Sequence, residues 1–180
     1  MKLKVMVQSE IKDKIGVLGG SFDPPHKGHL AISVEAKKRY NLKKIIWAIT
    51  EKNPFKNKSE NSLSKRIKDC KKLTIKKKYI QIKFLEKVIK SNKTVDLINF
   101  LKKSTNSEIY FIMGADNLIN FHKWHKWKLI SQKCNIIVFD RQGYKKKSLN
   151  SITYKRLRKN NLKFIKFKKI NISSSQLRKI

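Results

Sequence analysis

Six short apolar runs, separated by segments with helical spacing of apolar residues, organise the chain. Five of them have the length and apolar content typical of buried strands and cover residues 15–18, 43–49, 79–82, 108–113 and 134–139. The sixth, residues 162–167, alternates apolar and polar positions and predicts a further strand. The segments between them predict helices from Lys27 or Gly28 to Tyr40, over 63–73, 95–101, 117–121 and 154–159, and from the serine cluster at 173–175 onward. Residues 83–92 receive no assignment. Alternating strands and helices predict a doubly wound, mainly parallel α/β sheet.

The length of 180 residues fits one domain with an adequate core. We place that domain at residues 14–180 and interpret residues 1–13 as an N-terminal extension. The extension has no apolar run long enough for a signal peptide, and no window of the chain is long and apolar enough to cross a membrane. The expected location is therefore the cytoplasm.

The stretch from Gly19 to His29 joins the first predicted strand to the first predicted helix. Gly19 and Gly20 lack side chains where the chain leaves the strand, which lets backbone N–H groups approach a bulky anion. The unpaired N–H groups and positive dipole end of the helix start also favour an anion. His26 and His29 share a face of the first turn, so both imidazoles can donate to one polyphosphate. A metal site is the alternative, but no third Cys or His follows at ligand spacing.

Three later segments carry polar residues where they could meet the same ligand. Gly114 leaves the strongest predicted strand, and Asp116 then either caps a helix or contacts a ligand. A second polyphosphate clamp is predicted near the C-terminus, where serine hydroxyls at a helix start precede an arginine by one turn; these residues are Ser173, Ser174 and Arg178. The polar loop at 50–61 contains Lys56, which on its own pattern is a solvated lysine.

The pattern also gives structural interpretations for three residues of the middle of the chain. Thr94 precedes an amphipathic run and is predicted to cap its helix. Trp124 and Trp127 are three positions apart, which is typical of core residues on one helix.

Charge and cysteine content change the predicted fold and function only slightly. Lys and Arg number 45 against 12 acidic residues, for a formal net charge of +33, and no acidic residue follows Asp140. Nucleic-acid binding is one explanation of this charge. Because the lysines are scattered and no aromatic-interleaved motif appears, we favour compositional bias together with small polyanionic substrates. Cys70 and Cys134 lie in apolar patterns and are predicted to be unpaired core thiols.

The motif Gly-Gly-Ser-Phe-Asp-Pro-Pro-His-Lys-Gly-His at 19–29 resembles the His-x-Gly-His signature of the nucleotidylyltransferase superfamily. Its first eight residues are similar to the form found in the nicotinate-nucleotide adenylyltransferases. The segments 53–56, 114–117, 121–127 and 172–178 also resemble that family in the expected order, so the likeness spans about residues 14–178. It implies a Rossmann-like strand order with the third strand at one edge and the first and fourth strands adjacent.

The resemblance implies the reaction and the role of each motif residue. ATP and nicotinate mononucleotide would give nicotinate adenine dinucleotide and pyrophosphate in NAD biosynthesis, with Mg²⁺ carried by ATP and no metal held by protein side chains. Catalytic roles fall on His26, His29 and Arg178. ATP binding falls on Gly19, Gly20, Ser21, Phe22, Gly28, Gly114, Asp116, Ser173 and Ser174. Contacts with the nicotinate nucleotide are implied for Asp23, Lys56, Thr94 and one or both of Trp124 and Trp127. One of the two tryptophans would stack on the pyridine ring.

Other activities stay open at this point. A pantetheine-phosphate adenylyltransferase would share the phosphate motifs but not the tryptophan segment, whereas a nicotinamide-nucleotide enzyme would share both. A basic nucleic-acid-binding protein would need neither histidine and would bind RNA with steep salt dependence. The sequence also leaves a homo-oligomer open.

Overall fold

The structure is a computed structural model that describes residues 12–52 and 59–167. Six strands are present in this part of the chain: β1 Lys14–Gly20, β2 Lys44–Ile49, β3 Ile80–Lys83, β4 Glu108–Gly114, β5 Asn135–Phe139 and β6 Leu162–Ile165. Eight α-helices accompany them: α1 Lys27–Tyr40, α2 Leu63–Thr74, α3 Glu86–Ile89, α4 Thr94–Thr105, α5 Ala115–Asn120, α6 Trp127–Lys133, α7 Lys145–Leu149 and α8 Ile152–Leu157. A 3₁₀ turn at Phe121–Lys123 joins α5 to the segment before α6.

The strands form one sheet in the order β3-β2-β1-β4-β5-β6. Every neighbouring pair is parallel. The chain therefore winds outward in one direction from β1 to β3 and in the other from β4 to β6. This confirms the Rossmann-like order, with β3 at an edge and β1 beside β4. In such a sheet the point where the winding reverses opens a crevice at the carboxyl ends of the strands.

Alternation along the strands supplies a hydrophobic core on each face of the sheet. On one face Ile15 and Val17 of β1 pack with residues from α4, α5, α6 and α8. On the other face Leu18 packs with Ala36 of α1 and Cys70 of α2. Because the helices cover both faces, the four central strands β1, β2, β4 and β5 are buried on both sides, which explains their nearly continuous apolar sequences.

All six predicted strands are confirmed, with small shifts at their ends. The first extends further than predicted, so that Gly19 and Gly20 are the last residues of β1, paired with Ala48 and Ile49 of β2. The last is shorter, and β6 ends at Ile165. The predicted 117–121 helix lies at Ala115–Asn120, and the predicted 154–159 helix at Ile152–Leu157.

Two predictions about local structure are wrong. Thr94 is the first residue of α4 and not its cap; Lys93 occupies the cap position without a side-chain bond. Instead the Ser91 hydroxyl accepts from the Lys93 N–H at 3.1 Å and donates to Asp96 at 2.7 Å. Trp124 and Trp127 do not share a helix, because Trp124 is extended and Lys126 takes a left-handed conformation with φ of 51° before α6 begins.

Cys70 and Cys134 are buried and unpaired, as predicted. Among the helices that the structure describes, none has the length and apolar character needed to span a bilayer.

Candidate active site

The carboxyl ends of β1 and β4 bring the two glycine-containing segments of the chain together. β1 runs beside β4, with Leu18 opposite Ile112. The loop after β1 leads into α1, and the loop after β4 leads directly into α5. Helix starts lie at the same edge of the sheet as the carboxyl ends of the strands, so the N–H groups of both helix starts face the switch point. The arrangement favours an anion at the start of α1.

His26 and His29 form the start of α1. His26 is the cap residue, and its Nδ1 accepts a hydrogen bond from the Gly28 N–H at 3.1 Å. The His29 Nδ1 accepts in return from the His26 N–H at 3.2 Å. The two rings stack with centroids 3.8 Å apart. Since each Nδ1 accepts, a neutral ring carries its proton on Nε2, which makes Nε2 the donor that a phosphate oxygen could use.

Aromatic neighbours hold His29 in place. Its ring lies 4.8 Å from that of Phe22 and 5.9 Å from that of Trp47. Phe22 and Trp47 stack on each other at 4.9 Å. The Trp47 indole donates to the Ser33 hydroxyl at 2.9 Å, and that hydroxyl donates to the His29 carbonyl at 2.8 Å. The first turn of α1 contains no acidic residue, so its positive end is not neutralised from within.

The two glycines at the end of β1 leave space on the ligand side. A Cβ at Gly19 would meet the Phe111 ring at 3.7 Å, and one at Gly20 would meet Phe22 at 3.5 Å, both ordinary contacts. Packing alone would therefore accept alanine at either position. This fits glycines that let a ligand approach the backbone. Phe22 takes a left-handed conformation with φ of 49°, and the Asp23–Pro24 peptide bond is cis.

Asp23 lies inside the protein. Its side chain is 2% exposed. One carboxylate oxygen accepts from the Glu60 N–H at 2.7 Å, and the other accepts from the Asn61 side chain at 2.7 Å. These bonds join the loop after β1 to the residues that precede α2. They give Asp23 a structural task, and the nucleotide contact implied for it stays a prediction.

Asp116 forms an ion pair across the carboxyl ends of β4 and β5. Its Oδ2 lies 2.8 Å from Nη1 of Arg141, and both side chains are mostly buried. The Arg141 guanidinium also lies over the Tyr144 ring, 5.4 Å from its centroid. Gly114 caps α5 without a side-chain bond, and a Cβ there would lie 2.4 Å from the Asp116 carboxylate. Gly114 is therefore required for the position of Asp116.

The tryptophan segment lies against β4. Trp124 packs edge-on against Phe111 of β4 at 6.1 Å and against Phe121 at 5.1 Å. Trp127 contacts Phe121 at 6.2 Å. Phe111 is also the ring nearest to Gly19, so Trp124 is connected to the phosphate motif through one side chain. Thr94, at the start of α4, lies at the same edge of the sheet and is partly buried.

Four of the residues implied by the resemblance lie outside the described part of the chain: Lys56, Ser173, Ser174 and Arg178. The structure brings together His26, His29, Gly28 and the residues at the ends of β1 and β4. Arg141 and Arg66 were not among the predicted site residues. In a chain with 45 basic residues, Arg66 has no sequence signal that separates it from a surface lysine or arginine. Arg141 does have one, since Arg141-Gln142-Gly143 resembles an Arg-Pro-Gly turn common in the family.

The described residues offer no group of three or more His, Cys, Asp or Glu side chains that could hold a metal ion. The carboxylates of Asp23 and Asp116, at the two sides of the crevice, are engaged by hydrogen bonds and by an ion pair. A divalent ion at this site would fit best if phosphate and water oxygens supplied most of its ligands.

This arrangement of strand, glycines, paired imidazoles and helix start is that of a nucleotidyltransferase. The sequence model of the family described as cytidylyltransferase-like matches residues 17–180. A protein of Pelagibacter ubique described as a probable nicotinate-nucleotide adenylyltransferase is 66% identical over 94% of both chains. A protein of Bradyrhizobium sp. with the same description is 40% identical over 77% of this chain and 72% of its own length. The chain belongs to the family of nicotinate-nucleotide adenylyltransferases.

Solved structures support the fold. The structure of Plasmodium falciparum nicotinic acid mononucleotide adenylyltransferase complexed with NaAD superposes with a TM-score of 0.75. The match covers 93% of this chain and 83% of that chain, at 23% identity. The shared architecture thus persists where most of the sequence differs.

Proposed function

We propose that this protein joins ATP to nicotinate mononucleotide, giving nicotinate adenine dinucleotide and pyrophosphate, as a step of NAD biosynthesis. The observation that carries the proposal is the imidazole pair of His26 and His29 at the start of α1, beside the carboxyl end of β4. Family membership supports the same reaction.

The chemistry places modest demands on the protein. A phosphate oxygen of the mononucleotide attacks the α-phosphorus of ATP, the new P–O bond forms, and the bond to the β-phosphate oxygen breaks. The attacking oxygen is already ionised, so no side-chain base is needed. The protein has to align two anions that repel each other and stabilise charge on the departing pyrophosphate.

Residues of the described site can perform both tasks. The Nε2–H groups of His26 and His29 would donate to phosphate oxygens, and the N–H groups of the first turn of α1 would add their dipoles. Ser173, Ser174 and Arg178 are proposed to hold the β- and γ-phosphates, and Lys56 to contact the mononucleotide. Mg²⁺ bound to ATP would neutralise phosphate charge when present.

We also propose which residues contact the ATP ribose and the pyridine ring of the mononucleotide. Asp116, held by Arg141, is proposed to accept hydrogen bonds from the ATP ribose, with Gly114 beside it. Trp124 is the proposed platform for the pyridine ring because it adjoins Phe111 below Gly19. Thr94 would lie near the carboxylate of that ring. We further propose that the enzyme is cytoplasmic, that RNA is not its ligand, and that a homo-oligomer is compatible with its activity.

Pyrophosphate release tests the proposal. Purified protein is incubated with ATP, Mg²⁺ and, in parallel, nicotinate mononucleotide, nicotinamide mononucleotide or phosphopantetheine. The highest kcat/KM is expected with nicotinate mononucleotide. A higher value with the amide would reassign the specificity, a higher value with phosphopantetheine would reject the assignment of the tryptophan segment, and release with none would reject the function.

A further inference from the structure

Arg66 of α2 is one of the largest fully buried side chains of the protein. It is 2% exposed. Its guanidinium donates to four backbone carbonyls: Ser21 at 2.7 Å, Thr50 at 2.8 Å, Asn61 at 3.1 Å and Glu51 at 3.2 Å. These carbonyls belong to three segments of two loops at the carboxyl edge of the sheet: the loop after β1, and the beginning and end of the loop between β2 and α2. One side chain therefore joins the loop after β1, the exit from β2 and the start of α2.

This burial demands an explanation. A buried guanidinium is costly unless hydrogen bonds or counter-charges compensate it. No carboxylate in the described ranges forms a salt bridge with Arg66. An apolar side chain would fill the same space on the apolar side of α2 at lower cost. The arginine differs from an apolar side chain in that it fixes these three chain segments relative to one another.

We propose that Arg66 is a positioning residue for the nucleotide site, which sets the orientation of the peptide groups that meet the substrates. The inference rests on the proposed function. Its physical basis is the geometry of the trans peptide, in which C=O and N–H point in opposite directions. Because the Ser21 carbonyl points at Arg66, the N–H of Phe22 points away from it. That N–H belongs to the phosphate-binding loop.

The peptide group between Thr50 and Glu51, where the chain leaves β2, is held by hydrogen bonds on both of its sides. Arg66 binds the Thr50 carbonyl, and on the opposite side of that peptide the Glu51 N–H donates to Glu86 of α3 at 3.2 Å. The Thr50 hydroxyl also donates to Glu86. The peptide plane is therefore fixed by a cation on one side and a carboxylate on the other.

A buried counter-charge completes the arrangement. Asn61 gives its carbonyl to Arg66, while its backbone and side-chain N–H groups donate to Asp23 at 3.3 Å and 2.7 Å. Asp23 and Arg66 are thus connected through Asn61. Arg66 binds the loop that contains Asp23, and Asp23 binds the residues that precede the helix of Arg66.

Two substitutions and one control test the proposal. Arg66→Met removes every donor while keeping much of the volume, and Arg66→Lys keeps the charge but cannot reach several carbonyls with its single ammonium group. Ile98→Ala is the matched control, since Ile98 is buried on the opposite face of the sheet. Steady-state kinetics are measured well below the unfolding temperature of each variant, and hydrogen exchange of the backbone amides is recorded without substrates.

Arg66→Met is expected to lower kcat/KM for ATP by about 10²-fold, the usual effect of misplacing a reacting group by about 1 Å. Arg66→Lys is expected to lose roughly 10-fold, and Ile98→Ala less than about twofold. Amide protection should fall at 20–23 and 50–52 in the Arg66 variants only. Activity and exchange that match the Ile98→Ala control would overturn the proposal, and Arg66→Lys decides it if Arg66→Met does not fold. An inactive wild-type protein would reject the function, whereas exchange would still report on Arg66.

Discussion

The imidazole of His26 caps α1 through Nδ1, and the same bond fixes its proton on Nε2. Serine, threonine, aspartate and asparagine are the usual cap residues, and any of them would satisfy the Gly28 N–H. What they lack is the second ring nitrogen of histidine, which is a donor when Nδ1 accepts. The choice of histidine at this position is therefore explained by a ligand, and the cap by itself does not require it.

Substitutions at the two histidines should separate capping from catalysis. His26→Asn keeps a good cap, so the unfolding temperature should stay near that of the wild type while kcat falls by roughly 10²–10³, the usual effect of losing one transition-state donor. His29→Ala should lower kcat by a similar factor. Pyrophosphate release and thermal unfolding are measured on both. Wild-type turnover in His29→Ala would remove that residue from the mechanism.

Gly114 offers a test of the Asp116–Arg141 pair. In Gly114→Ala the new Cβ would lie 2.4 Å from the Asp116 carboxylate, so the carboxylate must move and the pair with Arg141 must weaken. The KM for ATP should rise by about 10-fold, on the scale of one charged hydrogen bond. Gly19→Ala is a contrast, because its Cβ meets protein only at 3.7 Å: it leaves the Asp116–Arg141 pair intact, so any rise in the KM for ATP there reports contact between the new methyl group and the ligand. If the KM of Gly114→Ala equals that of the wild type, Asp116 does not contact the nucleotide.

At the scale of elements, the strands were predictable, whereas the two shortest helices were not. The four central strands β1, β2, β4 and β5 are buried almost throughout, so their apolar runs are visible without knowledge of their neighbours. The four-residue α3 and the five-residue α7 are too short to show a helical period. Trp124 and Trp127 lie outside a common helix because Lys126 between them takes a left-handed conformation. A lysine in the sequence does not indicate that conformation.

The residues of the site likewise divide into those that the sequence predicts and those that it does not. The phosphate motif was predictable because glycines, prolines and histidines are adjacent in sequence. Arg66, Arg141 and the ties of Asp23 depend on contacts between distant loops, which no local pattern encodes.

The tryptophan segment carries a prediction about the acceptor nucleotide. Trp124→Leu keeps an apolar side chain but removes the flat aromatic face, so the KM for nicotinate mononucleotide should rise by about 10-fold, in line with stacking of about 1–3 kcal/mol per ring. The KM for ATP should hardly change. Trp127→Leu serves as the comparison, since the ring of Trp127 packs on Phe121, whereas that of Trp124 packs on Phe111 of β4. A larger effect at Trp127 would transfer the platform to that residue.

At the scale of the whole molecule, the buried thiols should be unreactive while the protein is folded. Burial raises the pKa of the Cys70 thiol to about 12 and that of Cys134 to about 12. Since the thiolate is the reactive form, at pH 8 both should react far more slowly than an exposed cysteine, whose pKa is about 8.5. Titration with an aromatic disulfide reagent checks this, with denatured protein as the control. Rapid reaction of either thiol in folded protein would contradict the burial.

Net charge gives a prediction about substrate capture. A charge of +33 produces a positive potential that attracts two anionic substrates and is screened by salt. The value of kcat/KM should therefore fall as ionic strength rises from about 0.05 to 0.5 M, over which the Debye length shrinks severalfold. A salt-independent kcat/KM would mean that the lysines do not steer substrates. Tight binding of RNA that abolishes activity would instead favour a nucleic-acid partner.

The strand order has a consequence for biosynthesis on the ribosome. β1 emerges first, yet it needs β4 as its second neighbour, and two strands and four helices are translated in between. Until then the nascent chain exposes an unpaired strand edge, a template for mispairing. Truncated chains released before Glu108 should therefore be digested by protease or recovered as aggregate, whereas the complete chain resists both; a soluble, resistant fragment would mean that the first three strands fold on their own.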